Sequence, residues 1–262
     1  MTTYSLPDVA FLQRLAGAAA KRTLPLFRTA TAVENKEQGG YDPVTQADRD
    51  AERAIRALIE EAYPEHGIVG EEFGTVRGDH SHVWIIDPVD GTRAYISGLP
   101  TWGTLVGLRV DGHMHAGFMS QPYIGELYVA DGSGSQFMRG NADARPISTS
   151  ATTDISESIV FTTSPALYDT ATREAFNRLE ARSRLSRYGC DCYAFAMLAA
   201  GYADIVVEPG LKTYDIAALI PVIEQAGGVV TTWQGGNAAD GGDILAAANP
   251  ALHAAALAVL SG

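Results

Sequence analysis

Two aspartates and a threonine stand close together near the middle of the chain. Asp87, Asp90 and Thr92 follow the apolar, β-prone run 83–86 directly, in a turn that also contains a proline and a glycine. A buried strand that ends in carboxylates and a hydroxyl can hold a hard cation, since such ions take oxygen ligands. Oxygen-only ligands favour Mg²⁺ over zinc. The pattern therefore predicts a magnesium site at this turn.

The spacing of Asp87 and Asp90 has an electrostatic consequence. At neutral pH, two carboxylates this close repel each other, so that one is protonated or a cation lies between them. The amides of Gly91 and Thr92 would begin a short helix, where unpaired N–H groups and the helix dipole accept an anion such as phosphate. An Asx-turn with solvated aspartates is the structural alternative. The other motifs of the chain favour the cation site.

Composition limits the class of protein. The 262 residues permit one large domain or two lobes, and 46% hydrophobic with 19% charged residues is ordinary for a globular protein with a sizeable core. The net charge of -12 argues against a nucleic-acid surface, which needs clustered Lys and Arg. For a small phosphate substrate that is recognised through divalent cations, this acidity is no obstacle.

Cysteine content and hydropathy indicate a compartment. The two cysteines, Cys190 and Cys192, are too close for an easy disulfide, and no second pair completes a Cys-x-Cys metal site. We expect them to be small buried residues. The sequence shows neither a signal peptide nor a run of eighteen apolar residues, so we expect a protein of the reducing cytoplasm with no membrane contact.

Two helices precede the central turn. An alanine-rich pattern predicts one helix from Pro7 to about Arg28, and an amphipathic pattern predicts a second over 45–62. Thr45 and Asp48 resemble a capping box at the start of the second helix. Asp48 would then stabilise the helix terminus whether or not it also takes part in chemistry.

A short buried strand, 67–70, is predicted to deliver Glu71 and Glu72 into a turn. Adjacent side chains point in different directions, so we expect a single cation to be bound mainly by Glu71. The stretch 75–82 is polar and is predicted to be a loop that exposes His80 and His82.

The stretch after the central turn favours an antiparallel meander with short polar turns. The predicted N-terminal lobe is two helices on a sheet, and the polar stretch 140–155 would connect it to a second lobe. The meander strands are predicted at 104–110, 114–120, 126–130 and 135–139.

The second half alternates between strands and helices, which implies an α/β lobe. Pro221 lies inside a helical pattern and should kink it or destabilise it by roughly 3 kcal/mol. Gly227 and Gly228 predict a helix end. The predicted strands are 158–163, 204–208, 229–232 and 244–248, and the predicted helices are 171–182, 190–201, 215–226 and 250–260.

Four ordered motifs resemble one family. The run Trp84–Thr104, WIIDPVDGTRAYISGLPTWGT, is similar to the metal signature of the inositol monophosphatase-like family, which are Mg²⁺-dependent, lithium-sensitive phosphatases of small phosphate monoesters. The resemblance extends over about residues 36–248. Within the family, 93–103 and 187–193 are most similar to the branch that dephosphorylates L-histidinol phosphate. The other motifs are Asp42–Asp48, Gly70–Glu72, and Tyr214–Asp215 before an apolar helix that ends at 226–228.

The resemblance implies a fold and a division of the chain. The fold is α/β (α+β), a layered αβαβα sandwich of the inositol monophosphatase/fructose-bisphosphatase-like sugar phosphatase type. Residues 1–145 would form the lobe with most metal ligands, and 146–262 would complete the metal site and bind the leaving group. A homodimer is usual for such chains.

The resemblance also implies a metal-assisted, in-line transfer of the phosphoryl group to water, with two to three Mg²⁺ ions and no phosphoenzyme. One ion would be bound by Glu71, Asp87 and the Val89 carbonyl and would activate water. A second, held by Asp87, Asp90 and Asp215, would stabilise the leaving oxygen, and a third would lie near Glu71.

Residues for water activation and phosphate binding follow from the same resemblance. Thr92 with Asp48 would align or deprotonate the water, so that these two and Glu71 form the catalytic group. The Gly91 and Thr92 amides would hold the phosphate, and Asp215 would also contact the substrate. Lys36 is expected either near the ligands or in a solvated loop.

The leaving group is less sharply specified. Histidinol carries an ammonium and an imidazole, which acidic residues complement better than they complement a neutral polyol. Glu208 and Asp191 are the candidates, although Asp191 is equally interpreted as an N-terminal helix carboxylate. Arg187 would approach the phosphate, reach a partner subunit's site, or lie on the surface. Arg93 replaces a polar uncharged residue of the inositol-specific branch, which weakens an inositol assignment.

The predicted function is therefore a Mg²⁺-dependent histidinol-phosphatase of histidine biosynthesis. The enzymatic alternative is an inositol-1-monophosphatase or a broad phosphatase of small monoesters. A protein that binds the transcription machinery is the non-enzymatic alternative, against which the water-activating pair argues, because binding alone does not need it.

Overall fold

The computed structural model describes residues 6–29, 33–35, 43–78, 80–140 and 142–262. Lys36 and Asp42 lie outside these ranges. The helices are α1 Val9–Thr23, α2 Gln46–Ala62, α3 Thr92–Ile96, α4 Thr170–Glu180, α5 Asp191–Ala199, α6 Thr213–Ile216, α7 Leu219–Glu224 and α8 Pro250–Ser261. The strands are β1 Val33–Asn35, β2 Pro43–Thr45, β3 Gly67–Gly70, β4 Gly74–Val76, β5 His82–Asp90, β6 Gly103–Val110, β7 His113–Gln121, β8 Glu126–Ala130, β9 Ser135–Arg139, β10 Arg145–Pro146, β11 Ile159–Thr162, β12 Leu185–Tyr188, β13 Ile205–Leu211, β14 Val229–Thr232 and β15 Gly242–Ala247.

The first half forms an eight-stranded sheet in the order β10-β9-β8-β7-β6-β5-β3-β4. Strands β5 to β9 pair antiparallel in sequence order, which confirms the predicted meander. β3 pairs parallel to β5, so both strands end at the same edge of the sheet. At this edge Glu71, which follows β3, lies near Asp87 and Asp90 in the last residues of β5.

Helices α1 and α2 cover one face of this sheet, as predicted. The capping box of α2 is confirmed, since Asp48 Oδ2 accepts both the Thr45 N–H (2.9 Å) and the Thr45 hydroxyl (2.6 Å). The first helix is shorter than predicted: it begins after Asp8 and ends at Thr23, because a 3₁₀ turn around Pro25 follows. The shared core includes Leu12, Leu15, Ile55, Ile59, Trp84, Ile86 and Phe118.

Three predictions for the first sheet were wrong in detail. The predicted loop 75–82 contains the exposed edge strand β4, which pairs with β3 through backbone groups and needs no apolar pattern. His80 is exposed, but His82 is half-buried and stacks on the buried His66 with ring centroids 4.8 Å apart. The central strand β5 does not end at Ile86, because it continues as a bulged strand through Asp90.

The second half forms a five-stranded sheet in the order β12-β11-β13-β15-β14. Helices α5 and α7 pack between the two sheets, in a core that joins Leu105 and Met119 of the first sheet to Val206 and Ile244 of the second. Helices α4 and α8 cover the outer face of the second sheet. The layers are therefore helix, sheet, helix, sheet, helix, which confirms the predicted sandwich.

Strand β12 was not predicted, because its sequence LSRY has no apolar alternation and three of its four residues are exposed. The predicted helix 215–226 is two helices, α6 and α7. Pro221 is the third residue of α7, where a helix N–H has no intrahelical partner, so the expected kink becomes a break. The predicted helix end is confirmed: the Gly228 and Gly227 amides donate to Ile223 and Glu224 at 3.0 Å.

The chain passes from the first sheet to the second after β10, at Pro146. We keep a lobe boundary between residues 145 and 146 as a proposal. Among the described residues, none of the helices combines the length and apolar composition that crossing a membrane requires.

Candidate active site

A bulge at the end of β5 brings two acidic side chains together. Residues 87 and 90 of a regular strand would lie on opposite faces of the sheet. Asp87 lies opposite Leu105 and Asp90 opposite Gly103, so that β5 spans three residues where β6 spans two. Such a bulge re-aims the side chains that follow it. The Asp87 and Asp90 carboxylates consequently share one side of the strand end.

Asp215 completes this group from the second half of the chain. It lies in the first turn of α6, where its Oδ2 accepts the Lys212 N–H at 2.7 Å. Carboxylate oxygens of Asp87, Asp90 and Asp215 all lie within 4.8 Å of one another. The predicted convergence of acidic residues from both halves is therefore observed.

The electrostatics of Asp87, Asp90 and Asp215, which we call the three-aspartate group, favour a bound cation. Burial raises the pKa of Asp87 well above its usual range, and the charges of Glu71, Asp90 and Asp215 raise it further. Burial also raises the pKa of Asp90, together with the charges of Asp215 and Asp191. A divalent ion would offset this repulsion. Mg²⁺ binds oxygen at about 2.0–2.1 Å, so two oxygens on one ion lie at most about 4.2 Å apart. The three aspartate oxygens, all within 4.8 Å of one another, are close to that spacing.

Glu71 and Val89 lie beside the three-aspartate group. Glu71 follows β3, donates its N–H to Ile86 at 3.1 Å, and shares a side-chain hydrogen bond with Asp87. The Val89 carbonyl accepts the Thr92 hydroxyl at 3.0 Å, and the Val89 N–H donates to Asp87 Oδ1 at 3.0 Å. Both Glu71 and Val89 line the same cavity as the aspartates.

The predicted pair of Thr92 and Asp48 is not hydrogen-bonded in this structure. The Thr92 hydroxyl donates to Val89, and the two Thr45 bonds described above occupy Asp48 Oδ2. Burial raises the pKa of Asp48 to about 7, and the charges of Glu72 and Glu71 add to this. Both Thr45 bonds are accepted by Oδ2, so neither of them involves Asp48 Oδ1.

Gly91 caps the short helix α3 with φ +77°, a conformation that favours glycine. A Cβ at this position would lie 3.0 Å from the Asp191 Cβ and 3.2 Å from the Trp102 Cα. The absence of a side chain at Gly91 therefore lets the turn that carries the predicted phosphate-binding amides of Gly91 and Thr92 approach helix α5 closely.

The cavity has a volume of about 540 Å³ and a side pocket of about 150 Å³. Glu208 and Asp191 line the side pocket together with apolar residues such as Phe195. Glu208 is 2% exposed, accepts the Thr163 N–H at 2.5 Å, and has a pKa that burial raises to about 8. Asp191 has φ +44°, and burial raises its pKa to about 6 against the opposing charge of Arg93.

Comparison with known proteins matches residues 7–261 to the inositol monophosphatase family model. The chloroplastic bifunctional phosphatase IMPL2 of Arabidopsis thaliana is 39% identical over 84% of this chain, which spans 63% of that protein's length. The histidinol-phosphatase of Chlorobaculum parvum is 37% identical over 94% of this chain and 93% of its own. An inositol monophosphatase structure from Zymomonas mobilis superposes with a TM-score of 0.85 at 36% identity, covering 97% and 98% of the two chains.

The chain belongs to the inositol monophosphatase family. Family and relatives make it a phosphatase of small phosphate monoesters, and members of the inositol monophosphatase family use Mg²⁺, which the three-aspartate group can bind. The names of its relatives differ in substrate, since both histidinol-phosphatase and inositol monophosphatase occur among them.

Two predicted site residues of this inositol monophosphatase family member, Asp48 and Arg187, are not among the described residues that line the cavity or its side pocket. Asp48 is buried at the start of α2. Arg187 lies on the exposed edge strand β12. An edge strand that follows a helix leaves its side chains at the sheet margin, which spacing in the sequence does not reveal. Contact of Arg187 with a partner subunit's site stays a prediction.

Sequence reasoning missed three residues around the site. Lys212 lines the cavity, where Arg93 is the other basic residue among those described. The Cys192 N–H donates to Asp90 Oδ2 at 2.8 Å. The buried Glu52 carboxylate accepts hydrogen bonds from the Glu72 N–H and from Arg56 Nε, both at 2.7 Å, and these bonds hold the turn after β3 in place. A buried carboxylate on the apolar side of an amphipathic helix was the only signal for Glu52.

Proposed function

We propose that this phosphatase hydrolyses L-histidinol phosphate to L-histidinol and phosphate. The observation that carries the proposal is the pair of carboxylates, Asp191 and Glu208, in the side pocket that opens beside the three-aspartate group. The ammonium of histidinol would compensate these charges, whereas the hydroxyls of a neutral polyol would not. The name of the Chlorobaculum parvum relative, histidinol-phosphatase, supports the same substrate.

The cavity-lining acidic residues would hold the cofactor. Glu71, Asp87 and the Val89 carbonyl would form one cation site, and Asp87, Asp90 and Asp215 a second. When bound, Mg²⁺ supplies positive charge and Lewis acidity at the phosphate. The number of ions, two to three in the sequence-based prediction, stays a prediction.

The chain's own groups would bind the phosphate and orient the attacking water. The Gly91 and Thr92 N–H groups would donate to phosphate oxygens at the start of α3. After rotation away from Val89, the Thr92 hydroxyl would donate to Asp48 Oδ1 and accept a hydrogen bond from water. A pKa of about 7 suits Asp48 to accept a proton at neutral pH.

The reaction is a single displacement at phosphorus. The water oxygen forms the new P–O bond, the ester P–O bond breaks, and the leaving alkoxide takes up a proton to become the alcohol. The side pocket would hold that alcohol while the phosphate stays against α3.

Hydrolysis of inositol-1-phosphate is the second candidate, which the TM-score of 0.85 to the Zymomonas mobilis inositol monophosphatase favours. A role in binding the transcription machinery, a cytoplasmic location, lithium sensitivity and a homodimer stay predictions.

A parallel rate comparison tests the proposal. We would measure kcat/KM with Mg²⁺ for histidinol phosphate, inositol-1-phosphate, glycerol-2-phosphate and a 3′-phosphonucleotide. We expect histidinol phosphate to exceed each of the others at least about tenfold, which corresponds to about 1.4 kcal/mol. Equal values for histidinol phosphate and inositol-1-phosphate would refute the substrate assignment, and no turnover of any monoester would refute the phosphatase assignment.

A further inference from the structure

A buried ion pair on helix α2 lies behind the turn that carries Glu71. Glu52 is fully buried, and Arg56, one helical turn later, is 8% exposed. Arg56 Nε donates to Glu52 Oε1 at 2.7 Å. Charged side chains are rarely buried unless they are paired and hydrogen-bonded. Neither of the two is among the described residues that line the cavity, so the pair acts from outside it.

The Glu52 carboxylate bonds to the backbone just beyond Glu71. Its Oε2 accepts the Glu72 N–H at 2.7 Å, and its Oε1 accepts the Phe73 N–H at 3.3 Å. Together with the bond from Arg56, this carboxylate accepts three N–H donors, which both of its oxygens share. An amide has a single acceptor oxygen and could not bond to the donors on both sides.

Two arginines of α2 extend this contact along the same turn. Arg56 also donates to the Gly74 carbonyl at 2.5 Å. The Arg53 guanidinium lies over the Phe73 ring, 4.7 Å from its centroid, where a cation and a ring face attract each other. The turn between β3 and β4 is therefore bound to α2 through its backbone and through a side chain.

The strand before the turn leaves room for the Glu52 carboxylate. A Cβ at Gly70 would lie 1.9 Å from Glu52 Oε1 and 2.7 Å from Arg56 Nη2, which is too close for any side chain. Gly70 directly precedes Glu71, whose N–H donates to the Ile86 carbonyl at 3.1 Å. The backbone is thus fixed on both sides of Glu71, by strand β5 before its Cα and by Glu52 after it.

We propose that Glu52 is a positioning residue that holds Glu71 in place for cation binding. This inference rests on the magnesium site of the proposed function, in which Glu71 shares one ion with Asp87 and the Val89 carbonyl. Asp87 belongs to a central strand, whereas Glu71 lies in a turn, so the place of Glu71 depends more on contacts from outside the sheet. Groups that orient a metal ligand commonly contribute about tenfold or more to metal affinity.

The test is calorimetric titration of the full-length protein with Mg²⁺ in the absence of substrate, alongside kcat over a range of Mg²⁺ concentrations. Glu52→Gln can keep an oxygen toward Arg56, but its NH₂ group then faces the Glu72 N–H. We expect this variant to raise the Mg²⁺ dissociation constant about tenfold. At saturating Mg²⁺, kcat should recover to within about threefold of wild type, which a purely structural defect would not allow.

Asp204→Asn is the matched control. Asp204 is 5% exposed and accepts the Ile159 N–H at 2.8 Å, so this variant also neutralises a buried carboxylate that holds backbone. Asp204 is not among the described residues that line the cavity or its side pocket. We expect a lowered Tm, with a Mg²⁺ dissociation constant within about twofold of wild type.

A second variant and a wild-type measurement cover the case in which Glu52→Gln does not fold. Glu52→Met together with Arg56→Met removes both charges at once and leaves no unpaired charge in the interior. It should weaken Mg²⁺ binding at least about tenfold. In metal-free wild-type protein, the Glu72 amide should exchange its hydrogen at least about a hundredfold more slowly than in an unfolded chain.

Four results would overturn the positioning role. They are wild-type Mg²⁺ affinity in the Glu52 variants, an equal loss of affinity in Asp204→Asn, a loss of kcat that added Mg²⁺ does not restore, and a Glu72 amide that exchanges as fast as in an unfolded chain. Failure of the wild-type protein itself to bind Mg²⁺ would refute the magnesium site and this inference together. The wild-type titration thus separates failure of the proposed function from failure of this inference alone.

Discussion

Neutralising the side-pocket carboxylates should change which substrate the enzyme prefers. Glu208→Gln keeps an oxygen to accept the Thr163 N–H at 2.5 Å, so the local fold should persist while the acidic group is lost. A hydrogen bond to a charged group contributes about 1.5–3 kcal/mol. Taking about 2 kcal/mol, we expect kcat/KM for histidinol phosphate to fall about thirtyfold.

The same variant should hardly change kcat/KM for a substrate whose leaving group is neutral. We expect inositol-1-phosphate to lose less than about fivefold, since its hydroxyls can bond to an amide as well as to a carboxyl group. Asp191→Asn should act in the same direction. The matched control is Glu157→Gln, which removes an exposed charge outside the cavity and should change neither rate.

The pH profile adds an independent check on Glu208. Its pKa of about 8 means that the free enzyme is mostly protonated there at pH 7. Ionisation as the pH rises through about 8 favours a cationic substrate, so the ratio of kcat/KM for histidinol phosphate to that for inositol-1-phosphate should increase over this range. Glu208→Gln should flatten that ratio. Equal losses on both substrates, or an unchanged ratio across pH, would refute the reasoning.

Three further perturbations test the metal cluster, the glycine cap and a buried histidine. Asp87→Asn should abolish turnover while leaving the circular dichroism spectrum intact, and a retained rate above about 5% would defeat the metal assignment. Gly91→Ala should lower the free energy of unfolding by about 2 kcal/mol in urea titration, because alanine is strained at positive φ and its Cβ would contact Asp191 and Trp102 closely. Gly112→Ala is the control: Gly112 has φ +86° but no atom near the position of a Cβ, so this variant should lose only about 1 kcal/mol and keep full activity. Burial lowers the pKa of His66 to about 4, so its neutral form is favoured on folding, and its contribution to stability should disappear as pH falls from about 6.5 to 4. His66→Gln should weaken that acid-side decline in urea titrations, and an identical decline would contradict the prediction.

Local patterns were sufficient for most elements. The capping box at Thr45, the meander turns and the glycine pair at 227–228 depend on residues close in sequence, and each was predicted at its observed place. Strand β12 and the break before α7 were not. An edge strand such as β12 needs only a neighbouring backbone with which to pair, so it leaves no periodic apolar signal. Pro221 has no N–H to continue the hydrogen bonds of α6 but is tolerated in the first turn of α7, and the apolar pattern does not show this break.

For the candidate site, too, some features followed from the sequence and others only from the tertiary structure. The types and spacing of Asp87 and Asp90 predicted that the two carboxylates would repel each other unless a proton or a cation lies between them. An Asx-turn with solvated aspartates stayed open until the other motifs were considered. The proximity of both aspartates to Asp215, the bond from the Cys192 N–H to Asp90 and the exposure of Arg187 depended on the tertiary structure. A chain specifies its local hydrogen bonds through neighbouring residues, whereas contacts between residues more than a hundred positions apart form only when the bulge, the helix layer and both sheets pack together.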